Sequence, residues 1–307
     1  MRCRLCLNEA DLLDSHIVPA FVFKWIKDTS ATGYLRGSAN PNKRMQDGSK
    51  EEFLCSECEQ RFSILEKAFA ERIFVRYVTE DLNERGVARG SPKFEYKEWL
   101  LQFAVSVQWR VAERSRHDQR LKESVSEKDR QRIDLAAETW RQYLLGHRSD
   151  TGKYDHHLIF LQSLSGAMGR IPDYIEDWID VYLLRATDAT VVGSASHLGV
   201  YSKLGPIALY TSIIPKTLSK MKNTRIHKRG TIHSVQMLLN PKLTSFMFVE
   251  RPKEALALTK HSVSQERRIV ETMKKNPERA NASMTRMVAD SARRMKDKKG
   301  RKPKENA

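Results

Sequence analysis

Apolar positions mark out the elements before any motif is considered. After Cys58 they fall at Phe62, Leu65, Phe69 and Ile73, a helical spacing that predicts a helix opening at that cysteine. A second helix is predicted over 98–116, with Trp99, Phe103, Val107 and Val111 on one face. A third runs over 127–145, with Ile133, Ala137, Trp140 and Leu144. Between 157 and 250 the pattern changes to short apolar runs bounded by Gly, Pro and Asp. Runs at 157–161, 178–184, 190–192, 198–201, 207–213 and 245–249 read as strands of a small, mostly antiparallel sheet. Residues 13–19 predict a short strand or hairpin ending at Pro19, and the polar stretch 29–50 a long loop. Helical patterning returns near Lys253 and over 263–274. The stretch 293–307 is dominated by Lys and Arg and reads as a disordered tail. No internal repeat is present.

Composition bounds this picture. The chain has 307 residues, 40% hydrophobic and 30% charged, so it is polar but apolar enough for a sizeable core. That length suggests two domains, or one with an appendage. The linker-like Arg89-Gly90-Ser91-Pro92 places the boundary near 90. The expected organisation is 1–90 as a zinc domain, 91–292 as an α+β recognition or regulatory domain, and the tail 293–307. No apolar run reaches the 18–20 residues of a membrane span. With Met1-Arg2-Cys3 leading straight into a motif, no secretory signal is read, and a cytoplasmic location is expected. The formal charge of +16 attracts polyanions, nucleic acid first. A basic surface with one basic tail is the plainer alternative.

The four cysteines form two pairs, Cys3-x-x-Cys6 and Cys55-x-x-Cys58, in the first fifth of the chain. Two such knuckles complete a tetrahedral four-cysteine site for structural zinc. The 48 residues between them exceed ordinary finger spacing, so they must carry structure of their own. Disulfides are disfavoured in a cytosolic chain. A redox pair would need to follow a buried strand and open a βαβ unit, and neither does.

The order Cys3-x-x-Cys6, Asp14-Ser15-His16-Ile17-Val18-Pro19, Leu54-Cys55-x-x-Cys58-Glu59 resembles the zinc-containing branch of the HNH endonuclease superfamily, over about residues 1–75. The resemblance implies a ββα-metal, treble-clef-like fold whose cysteine-bound zinc is structural. It implies a second ion, Mg²⁺ or Mn²⁺, at the scissile phosphate. It maps the general base to His16 and a position serving that ion to Glu59, with Asp14 and Glu66 as further candidate ligands. The chain departs from the family pattern at two places. Ser15 stands where Asp usually precedes the His, and 49–52 carries no Asn where one is usual. Asn40 and Asn42 lie further off.

Each residue also has a plainer reading. His16 can be a structural hydrogen-bonding group or an alternative zinc ligand. Glu59 can simply favour a helix N-terminus, and Glu66 can be a solvated helix residue. His156, His157 and His197 lie near strands and read more readily as packing histidines than as ligands. Lys203-Leu-Gly205-Pro206 reads as a turn.

The fold expected is α+β: a small zinc domain, a helical connector, a C-terminal mixed or antiparallel sheet with helices, and the tail. The function expected is metal-dependent phosphodiester hydrolysis, on DNA in preference to RNA. Lys43 and Arg44 of the loop, with Arg293, Arg294, Lys298, Lys299, Arg301 and Lys302 of the tail, would hold the polyanion. Family members of this kind often serve antiviral defence or mobile elements. A protein partner is left open, and no membrane is expected. The alternative is a non-catalytic, zinc-stabilised nucleic-acid-binding or adaptor protein. The chain has no G-x-G-x-x-G, G-x-S-x-G or P-loop, which removes the dinucleotide, acyl-enzyme and ordinary NTPase classes.

Overall fold

The computed structural model describes residues 1–119, 125–168, 174–175, 178–194, 197–258, 260–286, 288 and 290. The basic stretch 293–307, with its six candidate phosphate-gripping residues, lies outside them.

The fold is mixed α+β with antiparallel sheets. Strand β1 (Leu12–His16) pairs antiparallel with β4 (Lys50–Cys55), which leads directly into helix α2 (Ser56–Phe69). Between them run helix α1 (Ala20–Asp28), β2 (Leu35–Gly37) and β3 (Asn40–Met45). The stretch expected as one long loop therefore holds a hairpin. Its strands are short and mostly polar, so no alternation announces them. Helix α1 starts at the residue after Pro19, whose fixed φ suits a helix entry.

Strand β5 (Lys93–Tyr96) pairs antiparallel with Gly230–His233 and leads into helix α3. Helix α3 (Glu98–His117) is buried on nearly every side from Leu100 to Glu113, as a helix enclosed by other elements must be. It packs on α2, on the helix Glu127–Leu144 and on the four-stranded sheet. That sheet has the order β6 (His156–Phe160), β9 (Ile207–Ile214), β8 (His197–Leu204), β7 (Thr187–Ser194), antiparallel throughout. Period-2 alternation divides its side chains between two cores. Leu158, Phe160, Val200 and Leu209 join the core shared with α3 and the N-terminal region, while Ile159, Leu161, Tyr201 and Tyr210 face a second one. Both faces are covered, so β8 is buried at every position. The first core runs without interruption from Cys3 to Ile232.

Two expected strands are helical. Residues 179–184 lie in the helix Ile179–Arg185, and 246–249 in a wide helical turn, Phe246–Glu250, that continues the helix ending at Ser245. Short apolar runs fit both periods, and here local chemistry decides. Asp180, in the first turn of its helix, accepts from Leu164 N–H at 2.7 Å. Asn240 caps the helix Pro241–Ser245 by accepting from Leu243 N–H at 3.1 Å, with Pro241 at the first helical position.

The candidate histidines of the sheet are packed as sheet members. His156 pairs with the Thr211 hydroxyl at 2.8 Å, His157 with Thr224 at 2.9 Å, and His197 with Tyr210. Lys203 is fully buried, and its ammonium donates to the carbonyls of Leu183, Ala186 and Gly205. It ties the end of the helix Ile179–Arg185 to the β8–β9 turn, where Gly205 takes a positive φ of 63°.

Burial, reinforced by the nearby His157 and Arg225, pushes His156 down to about 3; burial and Arg225 push His157 down to about 4. Below pH 6.5 the unfolded chain binds protons at both sites that the folded chain does not, so stability falls as pH falls. The expected slope is about 1.4 kcal/mol per pH unit for each histidine between roughly pH 6 and 4.5. Denaturant titrations across that range check it. His156→Leu and His157→Leu should each reduce the slope by about 1.4 kcal/mol per pH unit, and equal slopes in all three proteins would contradict it.

Candidate metal centre and the His16 site

The first knuckle closes on itself. Leu7 takes a left-handed φ of 66° and its N–H returns to the Cys3 carbonyl at 2.9 Å. The second joins Cys55, the last residue of β4, to Cys58 in the first turn of α2. The four Sγ atoms lie within 4.8 Å of one another, and none is in a disulfide. A tetrahedral zinc with Zn–S bonds of about 2.3 Å requires sulfurs about 3.8 Å apart, and Cys6 Sγ to Cys55 Sγ is 3.8 Å. The donor set and its spacing fit a structural metal such as zinc. Burial alone would raise the Cys3 thiol, but backbone N–H bonds from Cys55, Cys6 and Leu5 outweigh it and bring it down to about 7. Burial and the neighbouring thiols push Cys58 well up. Such a cluster holds four thiolates together only with a cation at its centre. Arg141, on the helix Glu127–Leu144, donates to Leu5 O inside the first knuckle at 2.9 Å.

Neighbouring side chains of β1 take different partners. Ser15, fully buried, donates to Glu59 Oε2 at 2.7 Å. His16 lies against Phe23 of α1, ring centroids 5.7 Å apart, and its Nε2 is 3.0 Å from Asp47 Oδ1. Partial burial works to raise the Asp47 carboxyl. Hydrogen bonds from Lys50, His16 and the Gly48 N–H outweigh that and bring it down to about 2. A carboxylate ionised at neutral pH can only accept, so Nε2 carries the hydrogen and Nδ1 is the open nitrogen of the neutral ring. No described residue hydrogen-bonds Nδ1. Gly48 packs closely beside this pair: a Cβ there would sit 2.1 Å from the Phe23 ring that lies against His16, so that ring would have to move.

Behind the site stands Arg110 of α3, 1% exposed. Its Nη1 donates to the His16 carbonyl at 2.8 Å, its Nη2 to Glu66 Oε1 at 2.6 Å and its Nε to Ser106 O at 3.3 Å. The guanidinium also lies over the Phe62 ring, 5.3 Å from its centroid. Glu66 is thus a partner of a buried cation. Asp14 is exposed, as are Lys43 and Arg44 on β3, with Arg44 over the Tyr34 ring at 4.7 Å. The fold brings His16 to Asp47 and Glu59 to Ser15; it does not gather Asp14, Glu59 and Glu66. Among the described residues the cysteines are the one set of three or more such groups at ligand spacing.

Asp47 and Arg110 were outside the sequence expectations. Asp47 precedes the 49–52 stretch where the family pattern points, and its signal is the turn dipeptide Asp47-Gly48 just before a strand. Arg110 has no local signal.

Comparisons with protein-family models, curated proteins and solved structures each found no match. Among the described residues no helix is long and apolar enough to cross a membrane.

Arg110→Met should destabilise the protein by about 3 kcal/mol, because it leaves the Glu66 carboxylate poorly solvated and unpaired. The double variant Arg110→Met, Glu66→Met should recover most of that loss. Urea unfolding of the four proteins of this cycle checks both. Additive losses would contradict the pairing.

Proposed function

We propose that the chain is an HNH-like, metal-dependent nuclease that hydrolyses nucleic-acid phosphodiester bonds, DNA in preference to RNA. The observation that carries the proposal is the His16–Asp47 pair at the end of a strand braced by a four-cysteine centre. A histidine fixed by a carboxylate on one ring nitrogen presents the other as a base. In the proposed step His16 Nδ1 takes a proton from water as the water oxygen attacks phosphorus. The phosphorus–oxygen bond to the leaving group breaks, and Asp47 stabilises the imidazolium that forms. Asp14, exposed one residue before Ser15 on β1, is the carboxylate offered to Mg²⁺ or Mn²⁺, an ion commonly held by one or two carboxylates plus phosphate oxygens and waters; Glu59 is held on Ser15 instead. Such an ion neutralises charge developing on the phosphate. The net charge of +16 and the exposed Lys43 and Arg44 favour a polyanionic substrate. By the same reading the protein works in the cytoplasm, in antiviral defence or a mobile element.

A second reading, a zinc-stabilised nucleic-acid-binding or adaptor protein, is favoured by one observation. Glu66 is engaged by Arg110 and Glu59 by Ser15, which leaves fewer free carboxylates for a catalytic ion.

One assay separates the two. Wild type, His16→Ala and Asp47→Asn are incubated with plasmid, single-stranded DNA and RNA, in Mg²⁺, Mn²⁺ or EDTA. The nuclease reading expects EDTA-sensitive cleavage by wild type. It expects a loss of at least about 100-fold in His16→Ala, with zinc content unchanged, and a similar loss in Asp47→Asn. Salt-sensitive binding with no cleavage by any of the three supports the second reading and sinks the first.

A further inference from the structure

A cavity of about 720 Å³ lies between α1, the β2–β3 hairpin, β7 and the helices Arg251–Ala257 and Val263–Lys275. That volume is in the range of small-molecule sites. Asp47 and Gly48 form part of its wall, so it adjoins the His16 pair.

The charges on its wall are unequally matched. Arg251 makes a bidentate pair with Asp188 at 2.6 and 2.7 Å. Arg185 donates to Ile26 O and to the Thr29 hydroxyl, and Arg114 pairs with Glu51 at 2.6 Å. Arg36 differs. Its Nε and Nη2 are buried and have no hydrogen-bond partner among the described residues. The same is true of His261 Nε2, on the same wall. Burial and the nearby Arg44 press the Arg36 guanidinium downward in pKa; burial and Arg36 do the same to His261, with Glu266 opposing. Arg36, Arg44 and His261 therefore lie within one another's field, with the Glu266 carboxylate near His261. Buried guanidinium N–H groups left unpaired are costly, and an anion bound at this point would relieve the cost. The rest of the lining is largely apolar, with Tyr34, Phe23, Ile26 and Met273 among it. Such walls suit a flat, weakly polar body joined to the anion.

We propose that this cavity binds a phosphomonoester of mononucleotide size, its phosphate on Arg36 and His261 and its base between the apolar walls. The site stands on these contacts alone and does not depend on the nuclease reading. The same chemistry is offered by a free mononucleotide and by the phosphorylated 5′ end of a strand.

Isothermal titration of the full, zinc-loaded chain at physiological salt tests it with AMP, adenosine and inorganic phosphate as probes. The expected result is saturable one-to-one binding of AMP. Adenosine and phosphate alone should each bind at least about tenfold more weakly, as should AMP to Arg36→Met, since a charge-assisted hydrogen bond is lost. Absence of saturable AMP binding to wild type overturns the proposal. So does unchanged AMP affinity in Arg36→Met, which would seat the nucleotide elsewhere on the basic surface. If Arg36→Met fails to fold, His261→Ala gives the same comparison, with weaker AMP binding expected and unchanged binding decisive against it. A 5′-phosphorylated oligonucleotide that displaces AMP makes the strand end the source; one that does not leaves the free nucleotide.

Discussion

The arrangement of the N-terminal site depends on one buried guanidinium. Arg110 is taken out of water in the middle of α3, where its charge needs a close partner and its N–H groups need acceptors. It finds them on two different elements, the Glu66 carboxylate of α2 and the backbone carbonyl of His16 at the end of β1. The backbone that carries His16 is therefore positioned from inside the protein. Two residues earlier on the same helix, the buried Gln108 donates to Val200 O at 2.9 Å and accepts from Ser202 Oγ at 2.7 Å. One helix thus registers the central sheet and the candidate site against each other. This is also why Glu66 reads as a structural residue: a carboxylate neutralising a buried arginine is poorly placed to hold a dication as well.

The cysteine cluster and Arg110 divide the work of holding the β1–β4 pair. The sulfurs join the start of the chain to the β4–α2 junction, while Arg110 fixes the far end of β1. The side chains of β1 are then committed in alternation. Ser15 is locked to Glu59 beneath, and His16 is pressed between Phe23 and Asp47. Gly48 lets the Asp47 turn approach Phe23 closely enough for that contact. Ser15, just before the histidine, and Glu59, in the first turn of α2, are joined by one hydrogen bond, so the strand and the helix are tied together beside the cysteine centre.

Much of this was legible in the sequence where the signal was local. The Cys-x-x-Cys spacing carries its own chemistry, and the fold gathers the four sulfurs. The long amphipathic stripes of α3 and of the helix Glu127–Leu144 lie where their periodicity put them. Short apolar runs misled, because 178–184 and 245–249 fit either period; the acidic Asp180 in a first turn and the Asn240 cap had to be weighed against the strand pattern. The polar hairpin of β2 and β3 gave no alternation to read. Asp47 and Arg110 were hidden for a different reason. Their roles arise from contacts across 31 and 94 residues of chain. An arginine in a helix looks like a surface residue until the helix is known to be enclosed. The unpaired Arg36 is the same kind of feature, visible only when its surroundings are assembled.

The central claim is that Asp47 holds His16 in one tautomer with Nδ1 open as a base. Nitrogen-15 NMR of the imidazoles tests this directly, with His16 assigned through His16→Ala and recorded in wild type and Asp47→Asn. The expected result for wild type, above the titration of the ring, is a proton on Nε2 and a bare Nδ1, with that preference weakened in Asp47→Asn. A proton on Nδ1 in wild type, or a spectrum that Asp47→Asn leaves unchanged, would contradict it.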